Sequence, residues 1–472
     1  MNKVPSELQV EYLRVLALKP YPSNARTHSK KQIRMIARSI ERFGFTNPVL
    51  ATSSNEILAG HGRVQAAKLL GMTTVPVLRI DHLNEDERRA YIIADNRLAE
   101  KAGWDKEILE IELQHLVIIG FDVEITGFEV PEVDSILEGA AEKLRDPGPE
   151  DYTPDLRRDR PAVSKLGDLW LLGSKEGDRH RLLCDDARQD TTIAALMGQD
   201  RAAIVITDPP YNVPIEGHVS GKGRTHHAEF TMASGEMTEE EFVLFLRRFL
   251  AAALTRAAAG ALLYVFMDWR HLFETLTAAR ELNLNLINLC VWNKTNGGMG
   301  SLYRSKHELV PILRRGNQPH RNNVELGKHG RSRTNVWDYA GVNAFRSGRE
   351  AELAMHPTVK PVAMIADAIR DVTKRGDLIL DPFGGSGTAL IAAERTGRRA
   401  RVVEIDPYYC DVAIRRWESF SGKQAVLAQT DESFEDVDER RNNEAALAAG
   451  AHEMSSSEAR ATPAEANPPE AA

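Results

Sequence analysis

The stretch that most limits what this chain can fold into is "DLILDPFGGSGTALIAAERTGRRARVVEIDPYY", residues 377–409. It reads as an apolar strand, a glycine-rich turn, a helix and a second apolar strand that ends in acids. Such a unit belongs to an α/β fold and builds a nucleotide-type cleft at the C-terminal ends of its strands. Gly384, Gly385 and Gly387 let a ligand approach the backbone closely. Glu404, with Asp406 beside it, ends the second strand where ribose hydroxyls need an acceptor. The turn departs from the Gly-x-Gly-x-x-Gly spacing and carries a leading Asp381-Pro382-Phe383. That combination favours an adenosyl ligand with no pyrophosphate to cradle.

A second strand end supplies the chemistry. In "IVITDPPYNV" (204–213) β-branched residues run into Asp208, Pro209, Pro210 and Tyr211. The exocyclic amine of adenine or cytosine is a poor nucleophile, because its lone pair is delocalised into the ring. An enzyme that alkylates it must hold the amine by its hydrogens and draw the nitrogen towards tetrahedral geometry. Asp208 offers a carboxylate acceptor and the Pro209 carbonyl a second, and neither proline has an N–H to compete. Tyr211 offers a ring to stack on a base swung out of the duplex.

Together the two motifs resemble the amino-group DNA methyltransferases that use S-adenosylmethionine, over about residues 165–425. "DPPY" (208–211) matches that family's catalytic motif, and "DPFGGSGT", from Asp381 through Ser386 and Gly387 to Thr388, its cofactor loop. "HPTVKP" (356–361) matches the element that starts a helix beside the methionine end of the cofactor. His356, Thr358, Lys360 and Pro361 are therefore expected at the cofactor, with Val362, Ile365 and Ile369 on the helix's apolar face. In "HRLLCDDARQ" (180–189) Asp186 keeps the acid expected near the adenine, although Asp185 replaces the family's glycine. Catalytic motif first and cofactor loop second marks the permuted, β-type arrangement on a Rossmann-like methyltransferase domain. Cytosine-N4 relatives tend to have Ser at the first motif position, so Asp208 favours N6 of adenine. N4 of cytosine and, to a smaller degree, an RNA substrate stay open.

Between the motifs, a Thr238…Glu241 box starts a helix whose Phe242, Phe245, Leu246, Phe249 and Leu250 belong to the core. Double-stranded DNA is the expected partner, met by the loop 212–237 and by residues 316–350, which include Arg331 and Arg333. His226 and His227 have no acidic or cysteine partners at metal spacing, so no metal site is expected. Whether two chains pair as a homodimer is left open.

Ahead of this lies a separate α+β module, expected over residues 1–140, followed by a Pro-rich charged linker at 141–165 and the methyltransferase domain at 166–425. Ile33, Ile36, Ile40 and Phe43 mark a helix that Gly44 stops, and the Gly60-His61-Gly62 turn leads into another that begins near Arg63. Free N–H groups, two glycines and a forked cation suit a phosphate. Residues of about 10–100, including "GHGRVQAAKLLGMTTVPV", resemble the ParB-like nuclease domain family, whose fold sulfiredoxin shares in outline. Its partition proteins bind nucleotide through a Gly-Glu-Arg-Arg box. Here the acid is missing and one arginine has become glycine, so only a phosphate contact by Gly60, Gly62 and Arg63 carries over, to a nucleotide or to DNA. The alternative function is a nucleotide-dependent DNA-binding clamp with a degenerate methylase body.

Charge alone does not select a partner. The net charge of −8 resides in the last 42 residues, where 11 acidic side chains face 3 basic ones, and the rest of the chain is neutral. That tail, from 426 on, is expected to be disordered. Three scattered cysteines fit a reducing compartment, and no apolar run approaches the roughly 20 residues that span a bilayer, so a cytoplasmic chain is expected.

Overall fold

Ser29 opens the first long helix by accepting the Gln32 N–H, and Gly44 closes it at φ 82°, so α1 spans Lys30–Phe43. The computed structural model describes residues 9–101, 103–137, 151–173 except 152, 155 and 157, 179–213, 233, 235–294, 302–326, 333–341 and 359–444. The chain divides into two units, Met1–Ala140 and Ala141–Ala472.

In the first unit β1 (Val10–Arg14), β2 (Val49–Ala51), β3 (Ile57–Ala59) and β4 (Thr74–Arg79) form one sheet in the order β1-β4-β2-β3. α2 (His61–Leu69) packs Val64 and Ala67 onto its core of Val49, Ile57, Val75 and Val77. Three more helices follow: α3 (Glu85–Lys101), α4 (Lys106–Ile118) and α5 (Val130–Leu137). Basic α1 meets acidic residues of the later segment, with Lys31 paired to Glu129 at 2.7 Å and Arg38 to Asp122.

The second unit is built on a ten-stranded sheet. Its strands and helices are β5 (Leu169–Leu172), β6 (His180–Cys184), α6 (Asp190–Met197), β7 (Ala202–Thr207), α7 (Glu239–Leu254), β8 (Ala257–Val265), α8 (Leu272–Glu281), β9 (Leu284–Asn293), β10 (His307–Arg315), β11 (Val336–Asp338), α9 (Val362–Val372), β12 (Leu378–Asp381), α10 (Thr388–Thr396), β13 (Arg399–Glu404), α11 (Pro407–Ser421) and β14 (Ala425–Leu427). The order across the sheet is β11-β9-β10-β8-β7-β12-β13-β6-β5-β14. The central strands β8, β7, β12, β13 and β6 run parallel, and β10, β5 and β14 join antiparallel.

Parallel strands bury both faces, and β7 and β12 are accordingly apolar almost throughout. Successive side chains feed two cores. Leu262, Tyr264 and Phe266 join Ile365, Leu390 and Trp417, whereas Leu263, Val265 and Met267 join Ile193, Phe242 and Phe249. From β7 the chain moves one way along the sheet to β8, and from β12 the other way to β13. The crevice between β7 and β12 is thus a topological switch point, where such sheets bind ligands.

Two sequence expectations need correction. Within the linker assigned to 141–165, Asp151 accepts the Val362 N–H, and the Val163 and Ser164 N–H groups donate to Asp411, so this part is packed into the second unit. The tail assigned as disordered from 426 begins with β14 and continues as a helix over residues 434–444. Phe434 packs against Trp170 with the rings tilted and centroids 5.2 Å apart, Val437 is fully buried, and Arg441 pairs with Asp168 at 2.6 Å. Three of its acids, Glu432, Asp438 and Glu444, pair with arginines. Among the described residues no helix is long and apolar enough to cross a membrane.

Candidate active site

The Asp208 turn follows β7 and the glycine loop follows β12, so their adjacent ends bring both motifs into one open cleft with about 1220 Å³ of empty space. Asp208, Pro209, Pro210 and Tyr211 line it together with Asp381, Phe383, Gly384, Gly385, Ser386, Thr388, Glu404, Asp406 and Lys360. Pro361 instead caps α9, and Gly387 caps α10 with φ 82°, its Cα hydrogens turned to Ala413 where a Cβ would sit 2.8 Å away.

The three glycines therefore have different reasons. A Cβ on Gly384 would meet Val402 Cγ1 at 2.3 Å, so this glycine lets the loop lie on β13. Gly385 has φ 50° and no protein atom within 4 Å of the Cβ position, so it presents bare backbone to the cleft. Arg416 of α11, buried beneath, donates to the Ser386 carbonyl, Ser386 Oγ and Thr388 Oγ1 and fixes the loop from below. Phe383 anchors the other side against Phe249, edge to face at 4.9 Å, so the aromatics of α7 are core as expected.

Glu404 ends β13 and accepts the Gly385 and Asp406 N–H groups at 2.7 and 2.8 Å. Burial still pushes its carboxyl up to about 7, against those bonds. Asp406 lines the cleft, but its carboxylate also accepts the Tyr408 N–H at the start of α11 and pairs with Arg158 at 2.9 Å. Asp381 accepts the Phe383 N–H, and its carboxyl is raised well above the usual range by burial.

Around Asp208 the polar groups interlock. Tyr211 donates its hydroxyl to Asp208 Oδ1 at 2.6 Å, and Lys360 donates to Asp208 Oδ2. Lys360 also pairs with Glu308 at 3.2 Å, and Lys294 donates to the other oxygen of Glu308. Burial raises the Asp208 carboxyl, opposed by the Lys360 ammonium. For Glu308 burial acts the same way, but Lys360 and Lys294 outweigh it and hold the carboxyl at about 2. Two cations and two carboxylates thus share a pocket walled by Phe266 and Trp292, whose rings lie 5.4 and 5.8 Å from the Lys360 ammonium.

Other expected residues fall elsewhere. Asp186 does not line the cleft; Arg188 grips its carboxylate through Nε and Nη2, at 2.9 and 2.7 Å, beside the ring of Phe245. Arg333, expected at DNA, is paired with Asp371 at 2.7 Å and Asp367 at 3.2 Å. Its guanidinium is spent on α9. His356, Thr358, Arg331 and most of the loop 212–237 lie outside the described residues. In the first unit, Gly60 takes the left-handed conformation at φ 98° and opens α2, with Arg63 folded against it and half-buried beside Asp95 and Tyr91. His61 Nε2 accepts the Tyr21 N–H.

Sequence reasoning did not single out Glu308 or Lys294. A signal exists: Glu308 shares the inward face of β10 with Val310 and Ile312, and an acid in register with core residues is a buried acid.

Comparison with known proteins is consistent across both units. Residues 202–415 match the DNA methylase (N6/N4) family, residues 2–97 the ParB N-terminal domain, and residues 107–166 the ParB-methyltransferase HTH domain, a helix-turn-helix that sequence reading passed over. The chain is 45% identical over 83 residues to the ParB-like nuclease domain-containing protein YnaK of Escherichia coli K12, covering 18% of this chain and 95% of YnaK. It is 24% identical over 277 residues to the type II methyltransferase M.HpaI of Haemophilus parainfluenzae, covering 55% of this chain and 78% of that protein. The solved PvuII DNA methyltransferase (cytosine-N4-specific) aligns with a TM-score of 0.41 at 16% identity, over 57% of this chain and 95% of that one.

Proposed function

We propose that the chain methylates the N6 amine of adenine in double-stranded DNA with S-adenosylmethionine as methyl donor, on the premise that residues 202–415 match the N6/N4 DNA methylases and residues 2–97 the ParB N-terminal domain. The observation that carries this reading is the shared cleft. An acceptor suited to an amine, Asp208, stands across one crevice from a glycine loop suited to an adenosyl group.

The cofactor fits the residues present. Gly385 offers uncovered backbone and Glu404 an acceptor for ribose hydroxyls. When bound there, S-adenosylmethionine supplies an electrophilic methyl group. The chain's own part is to place the nucleophile. Asp208 and the Pro209 carbonyl take the amine hydrogens, which localises the nitrogen lone pair, while the Tyr211 ring holds the extruded base. Lys360 balances the Asp208 charge in a site from which burial removes water. Asp at position 208, rather than the Ser common in cytosine-N4 relatives, favours adenine as the base.

The test is direct. Bacterial DNA treated with the full chain and S-adenosylmethionine is digested to nucleosides and analysed by mass spectrometry. N6-methyl-2′-deoxyadenosine is the expected product. N4-methyl-2′-deoxycytidine would transfer the assignment to cytosine, and absence of both would overturn it.

A further inference from the structure

Asp208 has no idle oxygen in this structure: Oδ1 receives the Tyr211 hydroxyl and Oδ2 the Lys360 ammonium. A base amine that donates to Asp208 competes with one of these, because a second donor on either oxygen weakens the first. Lys360 is the harder to move, since it is 5% exposed and bound to Glu308 as well. The Tyr211 hydroxyl has somewhere to go. It already lies 3.1 Å from Glu308 Oε2, the carboxylate oxygen that faces Lys360.

Taking the adenine reading above as its basis, we propose that Glu308 is a positioning residue that receives the Tyr211 hydroxyl when the base amine takes Asp208 Oδ1. The shift is a small rotation of one O–H between two carboxylates, and the hydroxyl keeps an acceptor throughout. The ring of Tyr211 stays at the cleft wall, where the extruded base needs a face. Glu308 is suited to the part because it is 6% exposed, lies behind the cleft rather than in it, and carries two lysines that keep it ionised. β10 holds it rigidly: Glu308 is in register with Trp292 of β9, and the neighbouring Leu309 exchanges backbone hydrogen bonds with Met267. Without this second acceptor, base entry would strand a buried hydroxyl, and the penalty would fall on turnover.

The experiment uses the full chain, labelled S-adenosylmethionine and bacterial DNA. Glu308→Gln presents one acceptor oxygen where the carboxylate presents two, so kcat is expected to fall roughly ten- to hundredfold. Cofactor affinity, measured by calorimetry, is expected to stay within about twofold, because Glu308 is not in the cleft wall. Tyr211→Phe alone is expected to cost less than tenfold, and Tyr211→Phe placed on Glu308→Gln is expected to restore turnover, since no hydroxyl then needs a home. A merely structural Glu308 would not be rescued by deleting a hydroxyl. Multiplied losses in the double variant, unchanged kcat in Glu308→Gln, or a matching loss of cofactor affinity would each overturn the inference. Should Glu308→Gln not fold, a Tyr211→Phe chain that loses a hundredfold or more would overturn it by itself. If the unaltered chain methylates no adenine, the functional reading fails first, and that outcome is distinct from all of these.

Discussion

At the scale of single residues, Asp208 and Glu404 both line the cleft and make separate demands. On the proposed reading Asp208 is the acceptor that localises the amine lone pair, so Asp208→Ala should reduce methyl transfer by at least roughly a hundredfold. Cofactor binding by that variant should persist, because the glycine loop does not depend on it; calorimetry beside a filter assay of methylated DNA checks both halves. Glu404 predicts a pH dependence of binding. Its carboxyl titrates near 7 in the folded chain. Ribose hydroxyls that donate to it favour the ionised form. Affinity for S-adenosylmethionine should therefore climb as pH rises towards 7, by up to about tenfold per pH unit, and level off above. Glu404→Gln should bind weakly with no such slope, and a wild-type affinity flat from pH 5.5 to 8.5 would sink the assignment. Asp208 and Glu404 were legible in the sequence because each follows an apolar strand. For Arg333 and Asp186 the sequence displays a charge but not the partner, here Asp371 and Arg188, that neutralises it.

At the scale of elements, the glycine loop separates packing from binding within two adjacent positions. Gly384→Ala drives a methyl into Val402 and should cost about 1–3 kcal/mol of stability, seen as a lower unfolding midpoint. A Cβ on Gly385 meets no protein atom within 4 Å, so Gly385→Val should cost about 1–2 kcal/mol of backbone strain, yet reduce cofactor affinity by at least roughly tenfold. The opposite pattern, with Gly385→Val silent in calorimetry, would remove this loop from the binding wall. Elements defined by local signals were readable in advance. α7 starts at Thr238, whose hydroxyl accepts the Glu241 N–H while the Glu241 carboxylate accepts the Thr238 N–H, as the spacing alone suggests. The helix over 434–444 was not readable. Its composition is that of a solvated acidic segment, and it is ordered by Trp170, Asp168 and Arg160, more than 260 residues earlier in the chain.

At the scale of the molecule, the division after Ala140 sets a clean experiment. A chain lacking residues 1–140 keeps Asp151 and its bond to the start of α9, and it should fold and bind S-adenosylmethionine normally. If the first unit supplies DNA affinity, the shortened chain should bind DNA more weakly, with a shallower dependence of log K on log salt. An unchanged slope would assign the first unit to protein contacts instead. The segment 107–166 carries 15 acidic and 6 basic side chains, so phosphate contacts within the first unit fall more naturally to α1, with Lys30, Arg34 and Arg42, since Lys31 and Arg38 are paired with acids.

The permuted order of the strands also has a consequence in time. β7 lies between β8 and β12, yet some 170 residues separate Thr207 from Leu378. On a ribosome working at about 5–20 residues per second, roughly 10–30 s pass before the second neighbour of β7 emerges. Throughout that interval the strand that bears the catalytic turn has one apolar, unpaired edge, the kind that recruits other nascent chains. A transcript broken anywhere in that gap would yield a fragment able to stick to its own kind but unable to hold a methyl donor. Brief heat shock during expression, followed by sedimentation, should accordingly trap products ending between 265 and 378 in the insoluble fraction in preference to products ending after 404.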